Sequence, residues 1–222
     1  MLKFSVTEEN YIKGIYHLQQ QNAVVSTNLL AAELQTKAAS VTDMLKKLQL
    51  KKILQYEKYK GFRLNAVGIR IALGIVRRHR LWEYFLVTKL GFDWDKVHVI
   101  AEELEHVSSE ELISKLDNFL DFPQTDPHGD PIPDSTGKIP VIQQRRLAEI
   151  DDNKSVIVSS VNNQSPEMLE MLNHYQIGIG SQIKINRHFE FDGSVEIKVF
   201  KKPVCTISKQ VANNINVHYE AI

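Results

Sequence analysis

The chain has 222 residues, its 27 Lys/Arg are balanced by 27 Asp/Glu, and its hydrophobic fraction of 43% is ordinary for a globular protein. No apolar run is long enough for a membrane span, and the first residues lack the apolar stretch and cleavage site of a signal peptide. The single cysteine, Cys205, excludes an intrachain disulfide. We therefore expect a cytoplasmic protein with one large domain or two to three small ones.

The net charge of zero hides a strong asymmetry along the chain. Residues 1–80 contain 14 Lys/Arg and 5 Asp/Glu, whereas residues 81–145 contain 5 and 13. A basic first segment predicts a polyanionic partner, and an acidic middle segment suits cations. A solvated charged surface would explain the same counts without either partner.

The first 65 residues predict three helices and a β-hairpin. Thr7 is a good N-cap for a first helix, and Ser26 or Thr27 can cap a second. After a short turn, a third helix follows from Ser40 to Leu48. This spacing is typical of a helix-turn-helix, whose second helix enters the major groove of DNA.

Two short strands are predicted next, at residues 53–57 and 61–65, around a basic and aromatic turn. A helix-turn-helix followed by such a hairpin is a winged helix, so we expect a DNA-binding domain over residues 1–65. Lysines and small polar residues suit phosphate and base-edge contacts, whereas Asp43 must accept from a cytosine amino group or cap locally. The alternative is a small helical subdomain with a solvated basic face. The candidate DNA-contacting residues are Thr27, Lys37, Ala39, Ser40, Thr42, Asp43, Lys46, Lys47, Lys58, Tyr59, Lys60 and Arg63.

Residues 66–121 predict a helical domain. A long helix should run from Ala66 to Leu90, and a second should begin at Asp95 and end near His106. A further helix, capped by Ser108 or Ser109, should follow.

Residues 122–149 are predicted to form a linker, because five of the seven prolines fall between residues 122 and 140. Residues 150–222 then change to short alternating or apolar runs, which predict a small five-stranded barrel with one short helix at residues 166–175. The predicted strands are residues 155–161, 182–186, 195–200 and 204–207, with the fifth not located. The predicted fold class is therefore α+β.

Histidines and carboxylates occur at helical spacing in the middle segment, where residues three and four apart share a helix face. Like-charged carboxylates on one face repel each other unless a cation neutralises them, and oxygen and nitrogen donors without sulfur favour Mn²⁺, Fe²⁺ or Zn²⁺. The alternative is a set of ordinary solvated or core side chains. The candidate ligands are His79, Glu83, His98, Glu102, Glu105 and His106.

Several short runs together resemble the diphtheria toxin repressor family of iron- and manganese-dependent repressors, over essentially the whole chain. The runs are Glu9-Asn10-Tyr11-Ile12-Lys13-Gly14-Ile15-Tyr16, Ser40-Val41-Thr42, Tyr56-Glu57-Lys58-Tyr59-Lys60-Gly61, Arg78-His79-Arg80-Leu81, Glu102-Glu103-Leu104-Glu105-His106 and Gly129-Asp130-Pro131-Ile132-Pro133. The resemblance implies a homodimer with two winged-helix heads, a helical dimerisation and metal-binding domain, and the SH3-like C-terminal barrel of the longer members. It also implies binding to a palindromic DNA operator.

The resemblance implies a primary metal site at Asn10, Glu102, Glu105 and His106. Glu102 stands where iron-type members have a cysteine and manganese-type members a glutamate, which favours manganese. Asn10 departs from the usual Asp or Met. Lys13 stands where some manganese-binding members have a Glu, so the two-manganese arrangement of the short members is not expected here.

The resemblance also implies an ancillary metal site at His79 and Glu83. Two alternatives remain for its other ligands. One alternative adds His98. The other follows longer members, which complete the site from the linker and barrel, with Asp126 here in place of a cysteine. In that case the added ligands are Asp126, His128 and Glu167.

The sequence thus predicts a metal-activated repressor of metal-homeostasis genes and not an enzyme. Mn²⁺ or Fe²⁺ is the expected ion, with Zn²⁺, Co²⁺ or Ni²⁺ able to bind in vitro. Without metal, the acidic site is expected to repel itself and leave the DNA-binding heads mobile. Two alternatives remain: a metal-dependent hydrolase that uses the same carboxylates and histidines, and a metal-independent DNA-binding protein.

Overall fold

The structure, a computed structural model, describes residues 3–22, 24–57, 61–107 and 109–219. The chain forms two compact units. The first consists of Met1–His79, Glu103–Ile113 and Pro133–Ile139, and the second of Arg80–Glu102, Ser114–Ile132 and Pro140–Ile222. In the described part of the chain, no helix is both long and apolar enough to cross a membrane.

The first unit contains the predicted winged helix. Its elements are α1 (Val6–Gln21), α2 (Thr27–Glu33), α3 (Ala38–Leu50), β1 (Leu54–Glu57) and β2 (Gly61–Leu64). The two strands pair antiparallel, with Leu54 opposite Leu64. One hydrophobic core joins all these elements and includes Ile12, Leu30 and Leu45.

The first helix begins earlier than predicted, because Ser5 and not Thr7 is its N-cap. The Ser5 hydroxyl accepts a hydrogen bond from the Glu8 N–H at 3.2 Å, and the Glu8 carboxylate accepts one from the Ser5 N–H at 2.8 Å. This reciprocal capping box needs a Glu or Gln three residues after the cap, which Ser5 has and Thr7 lacks. The prediction for α2 is confirmed, since the Ser26 hydroxyl accepts from the Leu29 N–H.

Three further helices follow: α4 (Ala66–Leu90), α5 (Val97–Val107) and α6 (Glu110–Phe119). The α4 bounds are those predicted, and α5 begins two residues later than expected. Asn65 precedes α4 and accepts hydrogen bonds from the N–H groups of the first turn, while Ser109 does the same for α6. Such caps satisfy backbone donors that have no partner within the helix.

The C-terminal part of the second unit is a six-stranded antiparallel sheet, where five strands were expected. Its elements are β3 (Arg145–Arg146), β4 (Ser155–Val161), α7 (Pro166–His174), β5 (Gln182–His188), β6 (Val195–Val199), β7 (Val204–Ile207), α8 (Lys209–Asn214) and β8 (Ile215–Tyr219). The strand order is β3-β8-β4-β5-β6-β7, and within the described residues the two end strands do not pair with each other. Three of these elements were not predicted: β3, which lies within the predicted linker, α8 and β8. The last strand was missed because it follows α8 directly, without the Gly or Pro that usually marks a strand boundary.

The proline-rich segment has no helix, as expected, but it is packed rather than a free tether. Asp126, His128 and Ile132 are buried. The Val161 N–H donates to the His128 carbonyl at 3.0 Å, which fastens the segment to β4. Gly129 has φ +85°, and a Cβ there would overlap the Ser159 carbonyl oxygen, so only glycine fits.

Candidate metal centres and nucleic-acid interface

The first unit gathers polar side chains from α1, α4 and α5 into a partly buried group, which we call the primary cluster. α1 contributes three of its members from one face, α4 contributes two and α5 contributes two. The members are Glu9, Asn10, Lys13, Arg78, His79, Glu105 and His106.

Glu105 is the most buried carboxylate of the primary cluster, with 0% of its side chain exposed. Its Oε1 accepts from the Lys13 ammonium at 2.7 Å, and its Oε2 accepts from His79 Nδ1 at 2.6 Å. Burial by itself raises the pKa of Glu105. The hydrogen bond from His79 and the charge of Lys13 outweigh burial, so the pKa of Glu105 is lowered and the group is ionised at neutral pH.

The His106 ring is oriented by a residue that the sequence analysis missed, Glu9. His106 Nδ1 donates to Glu9 Oε2 at 2.7 Å, and Glu9 Oε1 accepts from Arg78 at 2.8 Å. With its proton on Nδ1, His106 has a lone pair on Nε2, which is the tautomer that binds a metal. His106 Nε2 is buried and has no hydrogen-bond partner, and the same is true of Asn10 Oδ1.

The structure brings two of the four predicted primary ligands into contact, since His106 Nε2 lies 3.4 Å from Glu105 Oε1. Asn10 lies on α1 beside Glu9, with its Oδ1 buried and without a hydrogen-bond partner. Glu102 lies three residues before Glu105 on α5, so the two share a helix face, and Glu102 belongs to the second compact unit. Glu105 has a counter-charge without any metal, because the Lys13 ammonium lies 2.7 Å from its Oε1.

The second unit contains another group, the second cluster, made of Glu83, Asp126 and His128. All three are buried, and one ligand atom from each lies within 4.8 Å of the others. His128 Nδ1 lies 3.7 Å from Glu83 Oε2 and 3.9 Å from Asp126 Oδ1, and it has no hydrogen-bond partner. His128 Nε2 donates to the Trp94 carbonyl at 2.8 Å, so the lone pair of the neutral ring is on Nδ1 and directed into the cluster.

The electrostatics of the second cluster favour a cation. Burial, together with the charges of Asp130 and Glu83, raises the pKa of Asp126 to about 7. Burial alone lowers the pKa of His128, but Glu83 outweighs it and the net direction is upward. Arg80 offsets part of the negative charge, since it lies 3.5 Å from Asp126 Oδ2 and 2.9 Å from Asp130 Oδ2.

The other ancillary candidates differ in their surroundings. His98 Nδ1 lies 3.2 Å from Glu83 Oε1, with 59% of its side chain exposed. His79, the remaining candidate, belongs to the first unit and pairs there with Glu105. Glu167 is exposed on α7 and is not part of the second cluster.

The candidate DNA-contacting residues on α3 form its exposed face, opposite buried Val41 and Leu45. Asp43 Oδ1 lies 3.5 Å from the Lys46 ammonium in an exposed ion pair, which is not the local cap that was expected as the alternative to a base contact. Thr27 is half-buried on α2. The exposed candidates on or beside α3 are Lys37, Ala39, Ser40, Thr42, Asp43, Lys46 and Lys47.

The hairpin candidates are only partly within the described residues. Arg63 on β2 is exposed and lies 3.1 Å from both Gln55 Oε1 and Glu57 Oε1. Lys58, Tyr59 and Lys60, at the predicted tip of the wing, lie outside the described residues.

Three family models match successive parts of the chain. Residues 3–62 match the iron dependent repressor N-terminal DNA binding domain, and residues 65–134 match the metal binding and dimerisation domain of the same repressors. Residues 145–219 match the FeoA domain. Together the three models account for nearly the whole chain.

Individual relatives agree with these models. The diphtheria toxin repressor of Corynebacterium jeikeium is 30% identical over 69% of this chain and 65% of its own length. The iron-dependent repressor IdeR of Mycobacterium leprae is 31% identical over 57% of this chain, and the chain spans only 55% of that relative. A solved structure described as a manganese-dependent transcriptional repressor in complex with manganese has a TM-score of 0.84 and 32% identity, with 96% of this chain and 100% of that chain covered. The chain therefore belongs to the iron-dependent repressor family, in a form that carries a C-terminal FeoA domain.

Proposed function

We propose that the chain is a metal-activated, DNA-binding transcriptional repressor that acts in the cytoplasm on metal-homeostasis genes. The observation that carries this proposal is a set of buried ligand atoms without hydrogen-bond partners. Four such side-chain atoms occur in the described residues, and three of them belong to the two clusters: Asn10 Oδ1, His106 Nε2 and His128 Nδ1. An unsatisfied buried polar atom costs about 1–3 kcal/mol, which a coordinated ion would offset.

The donors of the primary cluster fit a divalent first-row metal ion. Asn10 supplies an amide oxygen, Glu105 a carboxylate and His106 an imidazole nitrogen, and Glu102 adds a second carboxylate on the α5 face. Oxygen and nitrogen donors without sulfur favour Mn²⁺ or Fe²⁺, while Zn²⁺, Co²⁺ and Ni²⁺ bind such sets in vitro. The manganese complex of the structural relative supports the same choice.

The ion would act through the element that carries Asn10. Asn10 lies on α1, whereas Glu105 and His106 lie on α5. α1 shares its core with α3, through Ile12 and Leu45. Asn10 on α1 and Glu105 and His106 on α5 would hold the ion jointly. This would favour one orientation of α1 and, through the shared core, of the outward face of α3.

The second cluster is proposed as the ancillary site, with Glu83, Asp126 and His128 as its ligands. Two carboxylates and an imidazole that are buried together repel each other and lose hydration, and a bound cation would offset both costs. Glu167, His98 and His79 remain proposed additional ligands.

DNA binding is proposed for the outward face of α3 and for the hairpin. The repressor relatives and the match to a dimerisation domain support a homodimer, in which two α3 helices contact successive major grooves of a palindromic operator. The family to which the chain belongs consists of DNA-binding repressors rather than enzymes, which favours a repressor over a hydrolase.

A metal-independent DNA-binding protein is the second candidate, and one observation favours it. Lys13 pairs with Glu105, and Arg78 pairs with Glu9, so α1 is tied to α5 and α4 by ion pairs that need no metal. A titration of metal against DNA binding separates the two candidates.

The operator can be obtained by selection from a random double-stranded DNA pool in the presence of Mn²⁺. Binding of the selected duplex is then measured by fluorescence anisotropy, with added Mn²⁺ and with a chelator. We expect binding to require Mn²⁺ and to be lost in Glu105→Gln. The matched control is Glu103→Gln, an exposed carboxylate on the same helix, which should bind as the parent does. Equal affinity in the chelator would overturn the proposed activation.

A further inference from the structure

Lys13 is a cationic side chain placed directly on a proposed metal ligand. Its ammonium lies 2.7 Å from Glu105 Oε1, and the side chains of Lys13 and Glu105 are only 12% and 0% exposed. A lysine charge so far removed from water is costly unless a carboxylate compensates it. The pair is therefore a specific buried contact and not a surface ion pair.

The position of Lys13 sets it apart from the other cation of the primary cluster. Arg78 pairs with Glu9, which orients His106 but is not itself a proposed ligand. Lys13 instead holds an oxygen of Glu105, which is a proposed ligand. An ion that binds Glu105 must either displace the ammonium from Oε1 or approach it closely, and two cations at short range in a partly buried site repel strongly.

We propose that Lys13 is a built-in counter-cation of the primary cluster that sets the metal concentration at which the site fills. In the metal-free protein, Lys13 neutralises Glu105 and keeps α1 in contact with α5. On metal binding, the ion and the ammonium compete for the same carboxylate. The site consequently binds metal more weakly than its donors alone would allow, and Lys13 determines the threshold. This inference rests on the proposed metal-binding function of the primary cluster.

The test is a direct measurement of Mn²⁺ binding by isothermal titration calorimetry at constant pH and ionic strength, on full-length protein freed of metal. All variants carry His128→Ala, so that the second cluster does not contribute to the heat. Lys13→Met removes the charge and keeps the length of the side chain, and Lys13→Gln removes the charge but keeps a hydrogen-bond donor. Lys13→Arg keeps the charge.

The matched control is Lys51→Met. Like Lys13, Lys51 pairs with a carboxylate, in this case Glu8 of α1. Lys51 lies 2.8 Å from Glu8 Oε1, in the same unit and away from the proposed ligands. Lys13→Met and Lys13→Gln should bind Mn²⁺ at least tenfold more tightly than the parent. Lys13→Arg and Lys51→Met should remain within about threefold of it.

A second readout is the thermal stability of the protein, measured first without metal and then at saturating Mn²⁺. Thermal unfolding of the metal-free protein should occur at lower temperature in Lys13→Met than in the parent, because Glu105 loses its counter-charge. Saturating Mn²⁺ should remove most of that difference. Together the two measurements distinguish a competing cation from a lysine that only stabilises the fold.

The outcomes are separable. Binding at this cluster is the Mn²⁺ binding that is lost in Glu105→Gln. If neither the parent nor Lys13→Met shows such binding, both the metal-binding function of this cluster and the role of Lys13 are wrong. If the parent binds Mn²⁺ through Glu105 but Lys13→Met and Lys13→Gln bind equally or more weakly, the proposed function stands and the inference about Lys13 is overturned.

Discussion

Asp126→Asn should stabilise the metal-free protein at alkaline pH and remove the part of its stabilisation by Mn²⁺ that comes from the second cluster. Burial, reinforced by the negative charges of Asp130 and Glu83, raises the pKa of Asp126 to about 7 from an ordinary value of 3.8. The folded protein therefore holds the Asp126 proton more tightly than the unfolded chain does. The stability gained from this proton is fully present below the unfolded pKa and is lost as the pH rises through about 7.

The pKa of Asp126 is about 3 units higher in the folded protein than its ordinary value, which corresponds to a free energy on the order of 4 kcal/mol. Between pH 5 and pH 8, about 3 kcal/mol of that stability should be lost by the parent. Asn has nearly the same shape and keeps an oxygen for the backbone N–H groups of His128 and Asp130, which Asp126 Oδ1 accepts at 2.8 and 3.0 Å. The variant should avoid the loss, because it has no charge to bury.

The assay is urea unfolding at pH 5 and pH 8, with and without Mn²⁺. The free energy of unfolding of Asp126→Asn minus that of the parent should increase by about 3 kcal/mol between the two pH values without metal. At pH 8, Mn²⁺ should stabilise the variant less than the parent, because only the primary cluster is then intact. Asp134→Asn is the control: hydrogen bonds from Thr136 and the Lys138 N–H lower the pKa of Asp134, so this carboxylate is ionised at both pH values and the stability difference should not change between them. A difference that does not change with pH, or that falls, would refute the electrostatic account of the second cluster.

Three further predictions concern the DNA-binding face and the primary cluster. Replacing Lys46 and Lys47 with Gln should weaken DNA binding across sequences. The slope of log affinity against log salt concentration should become shallower by about 0.9 for each phosphate that the variant no longer neutralises. An unchanged slope would show that these lysines do not contact phosphates. Glu102→Cys should shift activation of DNA binding from Mn²⁺ towards Fe²⁺, and an unchanged metal preference would count against Glu102 as a ligand. Glu9→Gln should weaken Mn²⁺ binding by about 10- to 100-fold in calorimetry, because His106 loses the carboxylate that fixes its tautomer; parental affinity would show that Glu9 does not orient the ring.

Local patterns in the sequence were sufficient for the helices and the hairpin of the described residues up to 121, apart from the start of α1. Apolar periodicity, caps such as Ser26 and the hairpin after α3 are properties of short segments, so they can be read without knowledge of the fold. The same holds for the shared helix face of Glu102, Glu105 and His106, because helical geometry alone puts residues three and four apart together. The start of α1 was misplaced because two candidate caps lie within three residues, and the reciprocal Ser5–Glu8 bonds favour the earlier one.

What only the tertiary structure decided are the contacts between residues distant along the chain. Glu9 reaches His106, and Lys13 reaches Glu105, across more than 90 residues, and no local pattern marks either pair. The second cluster likewise depends on the packing of the proline-rich segment, which buries Asp126 and His128 beside Glu83. Charge composition could indicate that cations belong in the acidic middle of the chain. Which carboxylate is already neutralised by a lysine, and which histidine nitrogen is left without a partner, depends on burial and on distances that exist only once the helices have packed.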